Sequence, residues 1–183
     1  MLSGDISGFM NLIKSNSSFL GLVLSIFGLA LGEVISLPNP LVLGLGLTLF
    51  SAWDSIGYES VARSDNRENM IRYRICQTSV QLIIIILLGG ITHWNTWVVL
   101  GFIYLWWMGV CDVLFYALIN RLQVMVAYGN MSWLWWTPLG IMNRLMGRET
   151  SGVSAYYIAV YAVIMWYSIW WLYPSIRVYS LFQ

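Results

Sequence analysis

Residues 105–120 read LWWMGVCDVLFYALIN, and this stretch decides the fold class because its apolar run is interrupted by a single acid, Asp112. A run of this kind is typical of a helix that crosses a lipid bilayer. A carboxylate near the centre of such a helix costs about 2.5–3.5 kcal/mol. The stretch therefore predicts a membrane helix. Either a partner offsets the cost of burying its acid, or the acid is retained for a function.

The composition of the whole chain also indicates a membrane protein. Of the 183 residues, 59% are hydrophobic and only 9% are charged, whereas soluble domains average about 25% charged residues. The mean hydropathy is +0.72. We therefore expect an all-α, polytopic integral membrane helical bundle that forms a single transmembrane domain over residues 1–183.

The number of spans follows from segment length, because a helix needs about 20 mostly apolar residues to cross a bilayer. Five segments qualify, at approximately residues 18–37, 40–60, 75–92, 96–119 and 154–174. We interpret residues 122–148 as an amphipathic interfacial or re-entrant segment, because Pro138 and Gly140 interrupt it. A sixth span over residues 122–143 is the alternative.

The basic residues predict the orientation of the bundle. With five alternating spans and a cytoplasmic N-terminus, every Lys and Arg except Arg177 lies on the cytoplasmic side, as the positive-inside rule requires. Six spans would move Arg144 and Arg148 to the outside and fit the rule less well. We therefore predict a multi-pass protein of the cell membrane whose C-terminus lies on the side opposite its N-terminus.

Tryptophans mark the predicted outer ends of spans four and five. Trp94, Trp97, Trp170 and Trp171 fall there, where aromatic residues commonly form a belt at the headgroup level. We expect these four side chains to lie at the membrane interface.

Two acids fall at matched depth in the predicted bundle. Asp54 lies nine residues before Arg63, and Asp112 lies nine residues before Arg121, in spans that run in the same direction. At 1.5 Å per residue, both carboxylates lie about 13 Å from those arginines. Gln81, in the antiparallel third span, reaches a similar level. Three predicted helices therefore each place a polar group at a similar depth in the membrane.

Polar side chains also share helix faces around these acids. Asp112, Tyr116 and Asn120 are spaced i, i+4 and i+8, and polar stripes on membrane helices usually face the bundle interior or a water-filled cavity. We predict a pocket that opens to the cytoplasmic side between spans two, three and four. The candidate ligand-binding residues are Asp54, Tyr58, Arg74, Gln77, Gln81, Asp112, Tyr116 and Asn120. Alternatively, these groups only hydrogen-bond neighbouring helices and hold the bundle together.

Arginines and acids alternate in the link ESVARSDNRENMIRYR, residues 59–74. Such a mixed run is typical of a solvated helix end or of a headgroup anchor. Arg63, Arg67 and Arg72 are the candidates for binding a lipid phosphate or headgroup, because guanidinium groups match phosphate geometry.

The residue inventory argues against several chemistries. His93 is the single histidine, and bis-histidine haem, histidine-rich di-iron and catalytic zinc sites need more imidazoles. Cys76 and Cys111 form no CxxC pair. The chain contains neither a P-loop nor a dinucleotide-binding motif. We assign no metal site and no cofactor, and we expect no nucleic-acid partner.

Three hypotheses for function remain. The first is a binding or transport module, or a subunit of a membrane complex, with an intramembrane polar pocket around Asp54 and Asp112. The second is an intramembrane enzyme that acts on a lipid or isoprenoid phosphate at the cytoplasmic face, with Asp54, Glu59 and Asp112 holding Mg²⁺. The third is a non-catalytic scaffold. The expected partners are membrane lipids, other membrane subunits or a second copy of the chain.

Overall fold

The computed structural model describes residues 17–35, 37–62, 67–127, 138–149 and 151–172. All regular structure in these ranges is helical. The helices are α1 (Ser17–Ile35), α2 (Asn39–Ala62), α3 (Arg67–Ile91), α4 (Thr96–Trp107), α5 (Val110–Leu118), α6 (Leu122–Ala127), α7 (Pro138–Leu145) and α8 (Gly152–Leu172).

Three of these helices are long and apolar enough to cross a membrane. The crossing stretches are Asn39–Tyr58 in α2, Ile71–Ile91 in α3 and Gly152–Leu172 in α8. The consecutive helices α4 and α5 satisfy the same test only together, which would make a fourth span. The apolar part of α1, Ser18–Gly32, is shorter than these.

Local capping residues set where several helices begin. Pro40 follows Asn39 in the first turn of α2, where its missing N–H and fixed φ fit a helix start. The side chain of Asn95 accepts hydrogen bonds from the amides of Trp97 at 3.0 Å and Val98 at 3.3 Å, at the start of α4. Ser151 accepts from the amide of Ser154 at the start of α8. Each cap satisfies helix-end N–H groups that would otherwise lack partners.

The core is built around α2, which packs against α1, α3, α4 and α5. Leu43 and Phe50 of α2 and Phe102 and Leu105 of α4 are almost completely buried within it. The Tyr167 hydroxyl of α8 donates to the Pro40 carbonyl at 2.9 Å and ties the last described helix to the start of α2. The opposite surfaces of the long helices are apolar and exposed, as expected of helices that face lipid.

Close helix contacts depend on glycine at two positions. A Cβ at Gly28 of α1 would lie 2.9 Å from Leu45 of α2, and a Cβ at Gly46 of α2 would lie 2.8 Å from Leu88 of α3. Small residues let membrane helices approach closely. Leu45 and Gly46 are consecutive in α2, so α1 and α3 contact the central helix at the same level.

The four tryptophans of the expected belt divide into two exposed and two buried rings. Trp94 and Trp171 are exposed, whereas Trp97 and Trp170 are buried with their ring centroids 4.9 Å apart. Trp97 also stacks on Trp166, and its ring meets the Tyr167 ring edge to face. Packing between α4 and α8 therefore uses two of the four rings that we assigned to the membrane interface.

The predicted fourth span, 96–119, is not one continuous helix. It divides into α4 and α5, which are bent by 73° relative to each other. The break falls at Gly109, whose φ of +81° is left-handed. Glycine adopts this conformation at no steric cost, while other residues rarely do.

The predicted interfacial segment, 122–148, contains two short helices in its described parts. Neither α6, with six residues, nor α7, with eight, is long enough to cross a bilayer. Residues 128–137, which include Trp133, Trp135 and Trp136, lie outside the described residues.

Candidate functional site

Asp54 is held by two side chains of the neighbouring helix α3. The Tyr73 hydroxyl donates to the Asp54 carboxylate and also lies 3.0 Å from the Asp54 carbonyl oxygen. The side-chain amide of Gln77 donates to the carboxylate oxygen Oδ1 at 2.7 Å. Two donors one helical turn apart on α3 therefore meet one acid on α2, which offsets part of the cost of its burial.

Arg74 extends this network outward. Its Nη1 donates to the Gln77 side-chain oxygen at 2.8 Å, so Gln77 lies between a guanidinium and a carboxylate. Arg74 is exposed, whereas Tyr73 is only 6% exposed. The neutral amide of Gln77 thus links the exposed guanidinium to the Asp54 carboxylate by two hydrogen bonds.

Aromatic rings enclose the inner side of the network. The ring of Trp53 stacks on that of Tyr73, with the two planes 7° apart. Tyr58 meets the edge of Tyr73 and contacts Phe115 of α5. Gly57 allows this arrangement, because a Cβ there would lie 2.9 Å from the Tyr73 ring. The rings fix the position of the Tyr73 hydroxyl beside Asp54.

Asp112 is accommodated in a different way. It lies in the first turn of α5, directly after the break at Gly109. The first N–H groups of a helix have no partner within it, and the helix dipole favours negative charge there. Its carboxylate lies within electrostatic range of Asp54 and Arg74. A helix that restarts within the bundle therefore provides a favourable place for this acid.

The structure brings together only part of the predicted site. Asp54, Tyr58, Arg74, Gln77 and Asp112 belong to one neighbourhood, between α2, α3 and α5.

The other three predicted ligand-binding residues lie elsewhere or make different contacts. Gln81 is buried one turn further along α3, and among the described residues it makes no hydrogen bond to either acid. Tyr116 packs towards Met125 and Ala155 instead. Asn120 lies beyond the end of α5 with a left-handed φ of 54°, so it does not continue the helical stripe.

The predicted phosphate-binding arginines are less completely described. Arg72 is exposed near the start of α3. Arg67 is the first residue of α3, and its side chain lies outside the described part, as does all of Arg63. Within the described residues, no three His, Cys, Asp or Glu side chains are close enough to hold a metal ion. The side chain of Glu59, the third proposed magnesium ligand, is outside that set.

Sequence reasoning missed two residues of this site, Tyr73 and Phe115. Tyr73 lies four residues before Gln77, which places both on one face of α3. That spacing could have identified Tyr73 as a second donor. Phe115 gives no polar signal, because an apolar ring on a membrane helix is equally suited to lipid.

No protein-family model, no curated protein and no solved structure matches this chain. We therefore infer function from the residues of the site.

Proposed function

We propose that this protein is a membrane binding or transport module, alone or as a subunit of a membrane complex. Its site would be the polar pocket between α2, α3 and α5 that contains Asp54 and Asp112. The observation that carries the proposal is the pairing of a donor-held acid with a second acid at an intramembrane helix start.

The chemistry of the pocket favours a ligand with hydrogen-bond donors or positive charge. Carboxylates only accept hydrogen bonds when ionised, and Asp54 already receives its donors from Tyr73 and Gln77. Asp112 receives no hydrogen bond from another side chain among the described residues, so it is the group that would meet a ligand.

We also propose the finer topology of the bundle. Helices α1, α2, α3 and α8 and the bent pair of α4 and α5 would form five spans. The positive-inside rule then places the N-terminus in the cytoplasm and the C-terminus on the other side of the cell membrane. In this arrangement the short helices α6 and α7 belong to a cytoplasmic interfacial segment.

Native mass spectrometry of the gently extracted protein tests the proposed ligand. We expect a small non-lipid mass on the wild-type chain, lost from both Asp54→Asn and Asp112→Asn. Glu149→Gln is the matched control, because Glu149 is an exposed carboxylate outside the long helices. It should retain the mass.

Two results would contradict the proposal. One is a ligand mass that persists in both neutral variants, which would place the ligand elsewhere. The other is a wild-type chain that carries only a partner protein at fixed stoichiometry, in which case the scaffold hypothesis would explain the protein better.

A further inference from the structure

A shallow, largely open groove lies on the outer face of α3, on the side of this helix that turns away from α2. It has a volume of about 320 Å³, and among the described residues it is lined by Ile71, Arg74, Ile75 and Thr78. These four positions follow the i, i+3, i+4, i+7 spacing of one helix face. Tyr73 and Gln77, which hold Asp54, point from the other side of the helix.

The groove joins an apolar floor to a cationic group. Ile71 and Ile75 are well exposed, and Ile75 has 65% of its surface accessible. Arg74 is exposed as well. Of the five N–H groups of its guanidinium, one donates to Gln77, and the described residues provide no other acceptor. Several donors of Arg74 are thus available at the groove.

The position of the groove on α3 determines what it would meet. Further along the helix, the large exposed side chains are Leu82, Ile83, Ile86 and Leu87, all aliphatic. A membrane helix with such a surface faces acyl chains. The cationic group of the groove, Arg74, thus lies where this apolar surface begins.

We propose that this groove binds an anionic phospholipid from the surrounding bilayer. The lipid phosphate pairs with the Arg74 guanidinium, which presents parallel donors that fit phosphate oxygens. An acyl chain of the lipid lies along Ile71 and Ile75. Basic groups beside membrane helices recognise anionic headgroups in this manner. The lipid site shares Arg74 with the hydrogen-bond network of the proposed ligand pocket, but it lies on the opposite face of α3 and uses neither Asp54 nor Asp112.

A lipid titration on the full chain tests the proposal. Native mass spectrometry in detergent micelles would compare phosphatidylglycerol with phosphatidylcholine of the same acyl chains. We expect preferential binding of phosphatidylglycerol that Arg74→Gln weakens about tenfold, as expected for loss of one hydrogen bond to a charged group. Arg121→Gln removes the same charge from another exposed position and should leave binding unchanged.

A second pair of variants tests the apolar floor. Ile75→Trp fills the groove and should weaken phosphatidylglycerol binding while Arg74 stays in place. Ile86→Trp is the matched control, because Ile86 lies eleven residues later on nearly the same face and is 61% exposed. It should bind the lipid as the wild type does.

Each contrary outcome has a definite meaning. Equal losses in Arg74→Gln and Arg121→Gln would show a general charge effect and would overturn the site. Equal binding of the two lipids, or no loss in Ile75→Trp, would do the same. Displacement of the lipid by excess inorganic phosphate would indicate a site for free phosphate instead. Asp112→Asn should retain lipid binding, so failure of the ligand pocket and failure of the lipid site are distinguishable.

Discussion

Asp54 and Asp112 show two ways in which an apolar helix accommodates a single acid. Asp54 lies in the middle of a continuous helix, where backbone donors are already used, so it depends on Tyr73 and Gln77 from α3. Asp112 lies in the first turn of a helix that restarts, where backbone N–H groups lack partners within the helix. The environment of Asp54 therefore depends on side chains of another helix, and that of Asp112 depends on the backbone conformation of its own chain.

The Tyr73 hydroxyl should contribute measurably to stability. Tyr73→Phe keeps the ring that stacks on Trp53 but removes a donor to Asp54. We expect a loss of about 1 kcal/mol in the free energy of unfolding, near the upper part of the range for hydrogen bonds between membrane helices. Unfolding by SDS in mixed micelles would measure it. Tyr157→Phe, at an exposed position on α8, is the control, and an equal effect in both variants would refute the role of Tyr73.

Some of these contacts could be predicted from sequence, and the errors have a common cause. The depth comparison placed polar groups of the second and third spans in one layer, and the structure joins α2 to α3 through Asp54 and Gln77. The depth comparison identified Gln81 as the residue level with Asp54. The observed partner is Gln77, one helical turn away. Counting residues from arginines ignores how far each helix extends beyond the membrane. The i, i+4 spacing of Tyr73 and Gln77 puts them on one face, but only the packing of α3 on α2 shows that this face meets Asp54.

The break between α4 and α5 is the element that sequence periodicity could not locate. Residues 96–119 are apolar on both sides of Gly109, and a single glycine inside a helical pattern is usually tolerated. What fixes the break is tertiary packing. Trp106 and Met108 pack against the central core before the turn, and Val110 and Cys111 are buried directly after it. The left-handed Gly109 allows both groups to be buried at once.

Close packing of α4 should make Gly101 intolerant of a side chain. A Cβ there would overlap the Trp166 indole and lie 2.9 Å from Leu43. We expect Gly101→Ala to reduce the free energy of unfolding by about 1–3 kcal/mol, because overpacked cores respond in that range. The same SDS titration would measure this loss.

Gly90 provides the matched control for that substitution. It is a glycine near the end of α3, and a Cβ built there meets nothing within 4 Å. Alanine has the higher helix propensity, so Gly90→Ala should be neutral or stabilising by up to about 1 kcal/mol. A Gly101→Ala variant as stable as Gly90→Ala would mean that α4 and α8 do not approach each other this closely.

For the whole molecule, the sequence predicts the helical class and most helix positions. It predicts five crossings, whereas the described residues contain three helices that are long and apolar enough, or four crossings with the bent pair. Composition and length suffice for α2, α3 and α8, since each has a long apolar stretch. The bent pair is different. With twelve and nine residues and a 73° bend, α4 and α5 extend only about 25 Å from end to end. A bilayer core is about 30 Å thick, so this pair either crosses with help from flanking residues or returns to the side it entered.

Accessibility to a membrane-impermeant maleimide distinguishes a bent crossing from a re-entrant loop. Thr96 begins α4, Gln123 lies in α6 shortly after α5, and both are exposed. Single-cysteine variants Thr96→Cys and Gln123→Cys therefore report on which side of the membrane each end of the bent pair lies. Both variants are made in a chain with Cys76→Ser and Cys111→Ala. We expect labelling of Thr96→Cys on intact cells and labelling of Gln123→Cys only after permeabilisation. Labelling of both from one side would show that the pair does not cross. The start of α5, with Asp112, would then form the tip of a re-entrant loop, and the polar pocket would need only a shallow path from that side of the membrane.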